Sequence, residues 1–225
     1  MAGELYHVYH RGVEGRIIFP SQDYYLRFIS ALRFFNTTRP VTLREYFAQL
    51  KTGVQPLQEE EPLVQIGAFN LRPTHYHLLT RSLADGSLSL FMQKLNSGFT
   101  AFFNLKNSRS GPLLRGRYKL KHINDDRYAK HVQAYIALNA LDKDMPDWRM
   151  GIRDVKKAKK IIHECRWSSF SSYFGNNKFS GIIDPNFIKD FFDDARDFER
   201  YTLSWTRVKL GEALSVLADT GVEPL

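Results

Sequence analysis

Residues 63–81 read Leu63-Val64-Gln65-Ile66-Gly67-Ala68-Phe69-Asn70-Leu71-Arg72-Pro73-Thr74-His75-Tyr76-His77-Leu78-Leu79-Thr80-Arg81, and they decide the fold. Leu63 to Asn70 is a short apolar run of β-formers. Pro73 interrupts it, and Thr74 to Arg81 resumes as a second strand. Successive side chains of a strand alternate between faces. Tyr76 therefore points into the core while His75 and His77 share the opposite face. Their Cα atoms stand roughly 6.6 Å apart, close enough for two imidazoles to converge on one divalent ion. Neutral imidazole is a common ligand for such ions. Spacing alone does not separate a ligand pair from two ordinary strand histidines. A zinc site wants further His or Cys ligands nearby, and an oxygen ligand shifts the preference toward Mg²⁺ or Mn²⁺.

Outward from this pair the pattern is regular. Leu5 to His10 is a first strand ending at Arg11-Gly12. Ser21 can cap a helix over about 22–38, with Tyr25, Phe28, Ile29, Leu32 and Phe35 on one stripe. Thr42-Leu43-Arg44-Glu45 matches a capping box, so a short helix is expected over 43–50, followed by a surface loop over 51–62. Asp85-Gly86-Ser87 opens a helix over about 88–105 with Leu88, Phe91, Leu95, Phe99 and Phe102 inward. Arg117 to Ile123 alternates as a fourth strand, and Asp125 or Asp126 can cap a helix over about 127–141. The order β-α-β-β-α-β plus a final helix is that of a ferredoxin-like α+β fold, an antiparallel sheet with helices on one face and the other free for ligand. Residues 1–142 form this domain, with 42–62 as an insertion. Residues 143–225 are an accessory tail, mostly helical, with a basic helix near 153–164 and a charged one to about 208.

Composition narrows the class. The chain of 225 residues is long enough for a core without staples, and its single Cys165 excludes an internal disulfide or a Cys-based zinc site. The first residues lack the order of a signal peptide and no apolar run approaches a membrane span, so a cytoplasmic, nucleoid-associated protein with no membrane partner is expected. Net charge is +8, which favours polyanions. The distribution is more telling. From Ser87 to Ile123 there is no Asp or Glu, while Lys94, Lys106, Arg109, Arg115, Arg117, Lys119 and Lys121 fall there. The candidates for phosphate contact are Arg11, Lys94, Arg115, Arg117, Lys119 and Lys121. Phe99, Phe102 and Phe103 read as core, and Trp167 as a packing anchor for the tail.

An oxygen ligand is available on the last helix of the domain. His131, Tyr135 and Asn139 recur at i, i+4 and i+8, while Val132, Ile136 and Ala140 line the adjoining face and can pack on the sheet. Spacing alone is equally met by an edge-of-core tyrosine, a helix-end amide and a surface histidine.

Taken together, the ordered motifs resemble the single-tyrosine transposases of the HUH superfamily, especially REP-associated tyrosine transposases and insertion-sequence-200-like enzymes. The matching pieces are Tyr6-His7-Val8-Tyr9-His10-Arg11-Gly12, Pro73-Thr74-His75-Tyr76-His77-Leu78-Leu79, Phe91-Met92-Gln93-Lys94-Leu95-Asn96, Gly116-Arg117-Tyr118-Lys119, His131-Val132-Gln133-Ala134-Tyr135-Ile136-Ala137-Leu138-Asn139 and Trp167-Ser168-Ser169-Phe170. Departures are Leu71-Arg72-Pro73-Thr74 where the family often has Met-Pro-Asn, Asn139-Ala140 where it often has Asn-Pro, and the 42–62 insertion. The resemblance implies Mg²⁺ or Mn²⁺ held by His75, His77 and Asn139, with Tyr135 as nucleophile toward a DNA phosphate. The implied reaction is cleavage and rejoining of single-stranded DNA at hairpin-flanked or palindromic sites through a 5′-phosphotyrosine, by a monomer or homodimer. The alternative on the same fold is a non-catalytic regulator that binds hairpin DNA.

Overall fold

The structure is a computed structural model that describes residues 2–42, 45, 48 and 61–205. Four strands, β1 (Leu5–Arg11), β2 (Val64–Arg72), β3 (His75–Ser82) and β4 (Lys119–Ile123), form one antiparallel sheet in the order β2-β3-β1-β4. Helix α1 (Gln22–Phe34) joins β1 to β2, and α2 (Ser87–Lys106) joins β3 to β4. Helix α3 (Asp126–Leu138) follows β4 and runs into a 3-10 turn over Asn139–Asp142. This is the expected ferredoxin-like α+β arrangement. It follows from the alternation in the strands and the apolar stripes of α1 and α2, which can be buried together only on one sheet face.

That face holds the first core. Val8, Tyr76 and Leu78 of the sheet meet Phe28 of α1 and Phe91, Leu95 and Phe99 of α2, all fully buried. Phe28 packs edge-on to Phe99 with ring centres 5.0 Å apart, the arrangement aromatic quadrupoles favour. Phe102 and Phe103 are also buried, as core. Gly98 lets α2 approach closely, since a Cβ there would lie 2.3 Å from the Phe35 ring.

The opposite face is not free, which corrects the expectation of an open sheet. Helix α3 lies across it, with Val132 and Ile136 packed against Leu79 and Ala68. Asp125 caps α3 by accepting from the Tyr128 N–H at 2.8 Å. The tail completes the cover with α4 (Val155–Glu164), α5 (Ala195–Leu203) and several 3-10 turns. Trp148, Phe170, Phe187, Phe198 and Trp205 bury their rings here. The reason is physical: α3 alone is too narrow to dry the face of a four-stranded sheet, and the aromatic tail supplies the missing apolar area. Residues 167–184 also run along the outer edge of β2, bridging Ser168 to Asn70 and Ile183 to Ile66.

The Thr42–Glu45 capping box forms, with Thr42 N donating to Glu45 Oε2 at 2.7 Å and Glu45 N to Thr42 Oγ1 at 3.1 Å. The rest of the expected 43–50 helix, the 51–60 loop and the chain beyond 205 lie outside the described residues. No helix among the described residues is long and apolar enough to cross a membrane.

Candidate active site

Strand register gathers the site. Tyr9 pairs with His77, Arg11 with His75, and His7 with Leu79 across β1 and β3. On the other side Asn70 pairs with His77 and Arg72 with His75. Directly paired residues share a face, so His7, Tyr9, Arg11, Asn70, Arg72, His75 and His77 all project toward α3. On that helix Tyr135 stands over them, its ring 5.7 Å from His77 and 6.2 Å from His7. Along 131–141 Tyr135 is the one residue that is not buried. Sequence spacing alone left the pair and the tyrosine open to ordinary readings, and the fold brings them together.

The two histidines present their rings in a usable way. His75 and His77 lie 5.2 Å apart and nearly perpendicular. His77 Nδ1 is engaged by His7 Nε2 at 3.0 Å, and His75 Nδ1 by Thr74 Oγ1 at 3.0 Å. A histidine whose Nδ1 donates keeps its lone pair on Nε2, the arrangement by which outer partners orient metal-binding imidazoles. Burial pushes His75 down to about 4, only partly opposed by Asp142, and drives His77 well below the ordinary histidine range with His7 and His75 adding to the effect. Both rings are therefore neutral at physiological pH, the ligand form.

Asn139 is fully buried one turn beyond Tyr135. Its Nδ2 donates to the Tyr135 carbonyl at 2.7 Å, while its Oδ1 has no partner. Asn70, also fully buried, has both amide atoms unpartnered. Lone buried amide oxygens are costly, and an oxygen-preferring cation is one way to satisfy them. Among the described residues no three His, Cys, Asp or Glu side chains converge as a metal site, and the unpartnered amide oxygens of Asn139 and Asn70 are the further donors beside the histidine pair. These donors fit Mg²⁺ or Mn²⁺ better than zinc.

Positive charge surrounds the tyrosine. The Arg149 guanidinium interacts electrostatically with the Tyr135 side chain. It is fixed by Asp142, whose Oδ1 accepts from Arg149 and from Trp148 Nε1, both at 2.8 Å. Arg72 lies 3.8 Å from the same carboxylate. Burial works against the Arg149 charge, and Asp142 and Tyr135 more than offset it. Arg11, Arg72 and Arg149 all act electrostatically on His75. Lys119 and Lys121 pair with Tyr9 and His7, so they extend the same face to the β4 edge.

The remaining candidates are placed apart. Arg117 belongs to the opposite side of the sheet, and Arg115 lies in the loop that hydrogen-bonds β1 through its backbone. Lys94 is held within the fold, its ammonium donating to the carbonyls of Thr37 at 2.5 Å and Arg39 at 2.6 Å. His131 is buried rather than a surface group, bonded to the Tyr201 hydroxyl at 2.9 Å and edge-on to Trp205. Trp167 stacks on Tyr25 at 4.3 Å, as a tail anchor should. Sequence reading missed His7, Asn70, Asp142 and Arg149 as site residues. For His7 a signal existed, since strand alternation puts it on one face with Tyr9 and Arg11.

Comparison by sequence finds no matching family model and no matching curated protein. Among solved structures the chain is similar to one described as a REP-associated tyrosine transposase bound to a REP hairpin. The TM-score is 0.52 at 15% identity, covering 82% of this chain and 90% of that one. At this identity the likeness concerns architecture, and it shows that this chain has the fold of that hairpin-bound transposase.

Proposed function

We propose that the chain is a transposase-like, metal-dependent endonuclease that cuts and rejoins single-stranded DNA beside hairpin elements. The observation that carries this reading is Tyr135. It is a partly exposed phenol over a histidine pair of which His77 is buried and His75 partly so, with an arginine acting on it electrostatically and further cations on the same sheet face. The solved structure that shares the fold is a tyrosine transposase with hairpin DNA, which supports the same class of ligand.

In the proposed reaction Tyr135 Oη attacks a DNA phosphorus in line. A P–Oη bond forms, the P–O3′ bond breaks, and the products are a 5′-phosphotyrosine and a free 3′-OH. The proton lost by the phenol is balanced by protonation of the departing 3′ oxygen. Attack of a 3′-OH on the phosphotyrosine reverses the step, so no nucleotide cofactor is needed. Arg149 places positive charge beside the attacking oxygen. Arg11 and Arg72 neutralise and orient the phosphate. His75, His77 and Asn139 would hold Mg²⁺ or Mn²⁺, which when bound polarises the phosphate.

The test is incubation of the protein with hairpin-bearing single-stranded oligonucleotides and Mn²⁺. The expected result is a covalent protein–DNA band on a denaturing gel, lost in Tyr135→Phe and in EDTA. A band of equal strength with Tyr135→Phe overturns the nucleophile assignment. Hairpin binding unaffected by EDTA, with no cleavage of any oligonucleotide, supports the non-catalytic regulator instead.

A further inference from the structure

A carboxylate stands where the proposed reaction brings a phosphate. Tyr135, Asn139 and Asp142 recur at i, i+4 and i+7, so Asp142 lies on the tyrosine's side of α3 and its 3-10 extension. It is close enough to His75 to act on it electrostatically. Its side chain is 21% exposed, so water screens it only in part. A negative charge so placed opposes the approach of a polyanion, and its contacts show what it does there instead.

Asp142 grips its two arginines unequally. Its Oδ1 accepts from Arg149 Nη1 and from Trp148 Nε1, both at 2.8 Å. Arg72 Nε is 3.8 Å from Oδ2, beyond hydrogen-bond range. The Arg149 guanidinium also lies 4.5 Å from the centre of the Trp148 ring, so it is clamped between an indole and a carboxylate. The ordinary reading is that the pair pins the turn Pro146–Met150. That turn is pinned without it. Trp148 is 1% exposed, its ring 5.8 Å from those of Tyr135 and Trp205. Met145 N donates to the Leu141 carbonyl at 2.8 Å, and Trp148 N to the Met145 carbonyl at 3.0 Å. What the carboxylate adds is the direction of a long, flexible side chain. It engages Nη1 alone, and the rest of the planar fork can meet a phosphate oxygen.

We propose that Asp142 is a positioning residue for strand cleavage, holding the Arg149 fork between Tyr135 and the incoming phosphate. The inference rests on the reading of the chain as an enzyme that uses Tyr135. Charge developing on the phosphate oxygens then meets a donor already in place. The same carboxylate weakens DNA binding, because its own charge stays beside the polyanion. Asp142 thus raises the rate and lowers the affinity, and Arg72, which it holds loosely, is left to binding.

The test follows covalent adduct formation in single turnover, with Mn²⁺ and a saturating hairpin-bearing oligonucleotide, on the full chain. DNA affinity is measured separately by fluorescence anisotropy in EDTA. Asp142→Asn keeps an oxygen acceptor for Trp148 and Arg149 and removes the charge. Its rate should fall about tenfold to a hundredfold, less than the ~10²–10³ of a lost transition-state donor, while affinity holds or tightens. Retained affinity also reports that the variant is folded. In an Arg149→Ala background Asp142→Asn should cost no further rate, and in an Arg72→Ala background it should cost its full factor. An unchanged rate in Asp142→Asn, rate and affinity falling together, or independent losses from Asp142→Asn and Arg149→Ala overturn the assignment. Each of these leaves the enzymatic reading standing if wild type forms the Tyr135-dependent adduct. Absence of that adduct from wild type removes the reading and the role of Asp142 with it.

Discussion

The two edges of the sheet are finished in opposite ways. Along β2 the backbone is sealed. Leu71 N donates to the Trp167 carbonyl at 2.9 Å, Asp184 N to the Ile66 carbonyl at 3.2 Å, and the Ser169 hydroxyl accepts from Phe69 N at 2.9 Å. The Tyr173 hydroxyl donates to the Gly67 carbonyl. Along β4 no strand or bridge covers the outer side among the described residues, and Lys119, Leu120 and His122 are exposed. Unpaired edges invite pairing with other chains, and lysines discourage it. The contrast is between a covered edge and an open, basic one, and it can be broken from either side.

The largest effect is expected at the sealed edge. Phe187 is 1% exposed and lies against the backbone of Gly67, where a Cβ would come within 2.3 Å of its ring. Gly67 sits at the register shift between Ile66 and Ala68, so the ring fills a kink in β2. The Arg81 guanidinium stands 5.1 Å from the ring centre and also pairs with Asp190 at 2.5 Å. Phe187→Ala should cost about 3–5 kcal/mol in denaturant unfolding, with affinity for hairpin DNA preserved in the remaining folded protein. A loss under about 1 kcal/mol, within the range of unremarkable substitutions, would detach the tail from the stability of the sheet.

Why this edge escaped the sequence is instructive. Strands and helices declared themselves through periods of two and 3.6, and the start of α3 through the capping chemistry of Asp125 or Asp126, of which Asp125 is the cap. Those signals are local, and they delivered the ferredoxin-like order; His75, His77 and Tyr135 they left open, and it was the resemblance of the ordered motifs that singled those residues out. The seal on β2 is not local. Ser169 meets Phe69 across a separation of 100 residues, and the segment that does it is built from 3-10 turns without a strong period. Arg149 was hidden for the same reason, since it reaches Tyr135 from such a turn. His7 needed the register of β1 against β3, which alternation alone does not supply.

His7 gives the next effect, on the central strand between the two edges. It is buried, stacks on His77 with ring centres 5.2 Å apart, and engages His77 Nδ1. In the proposed site it is a positioning residue, engaging the ring that would hold the metal. His7→Phe keeps the stack and removes the hydrogen bond, so Mn²⁺ affinity by calorimetry should fall about 10–100-fold, the usual toll of losing an outer partner. His7→Gln, whose amide can reach the Nε2 position, should recover part of it. Equal Mn²⁺ affinity in all three proteins would leave His7 as packing alone.

The smallest change in stability, and the sharpest test of the contrast, belongs to the open edge. Lys119 and Lys121 project toward Tyr135, and among the described residues neither side chain makes a hydrogen bond or ion pair. If they only guard the edge against pairing, Lys119→Ala with Lys121→Ala leaves DNA binding intact and promotes self-association. If they contact phosphate, each removes one counterion-release event, about 0.7 per contact for a single strand. The slope of log affinity against log salt should then become shallower by about 1.4 for the double variant, while unfolding free energy stays within about 0.5 kcal/mol of wild type. A parallel salt dependence displaced to weaker binding would point instead to an indirect distortion. The slope thus separates two uses of the same lysines that stability and affinity at one salt concentration leave confounded.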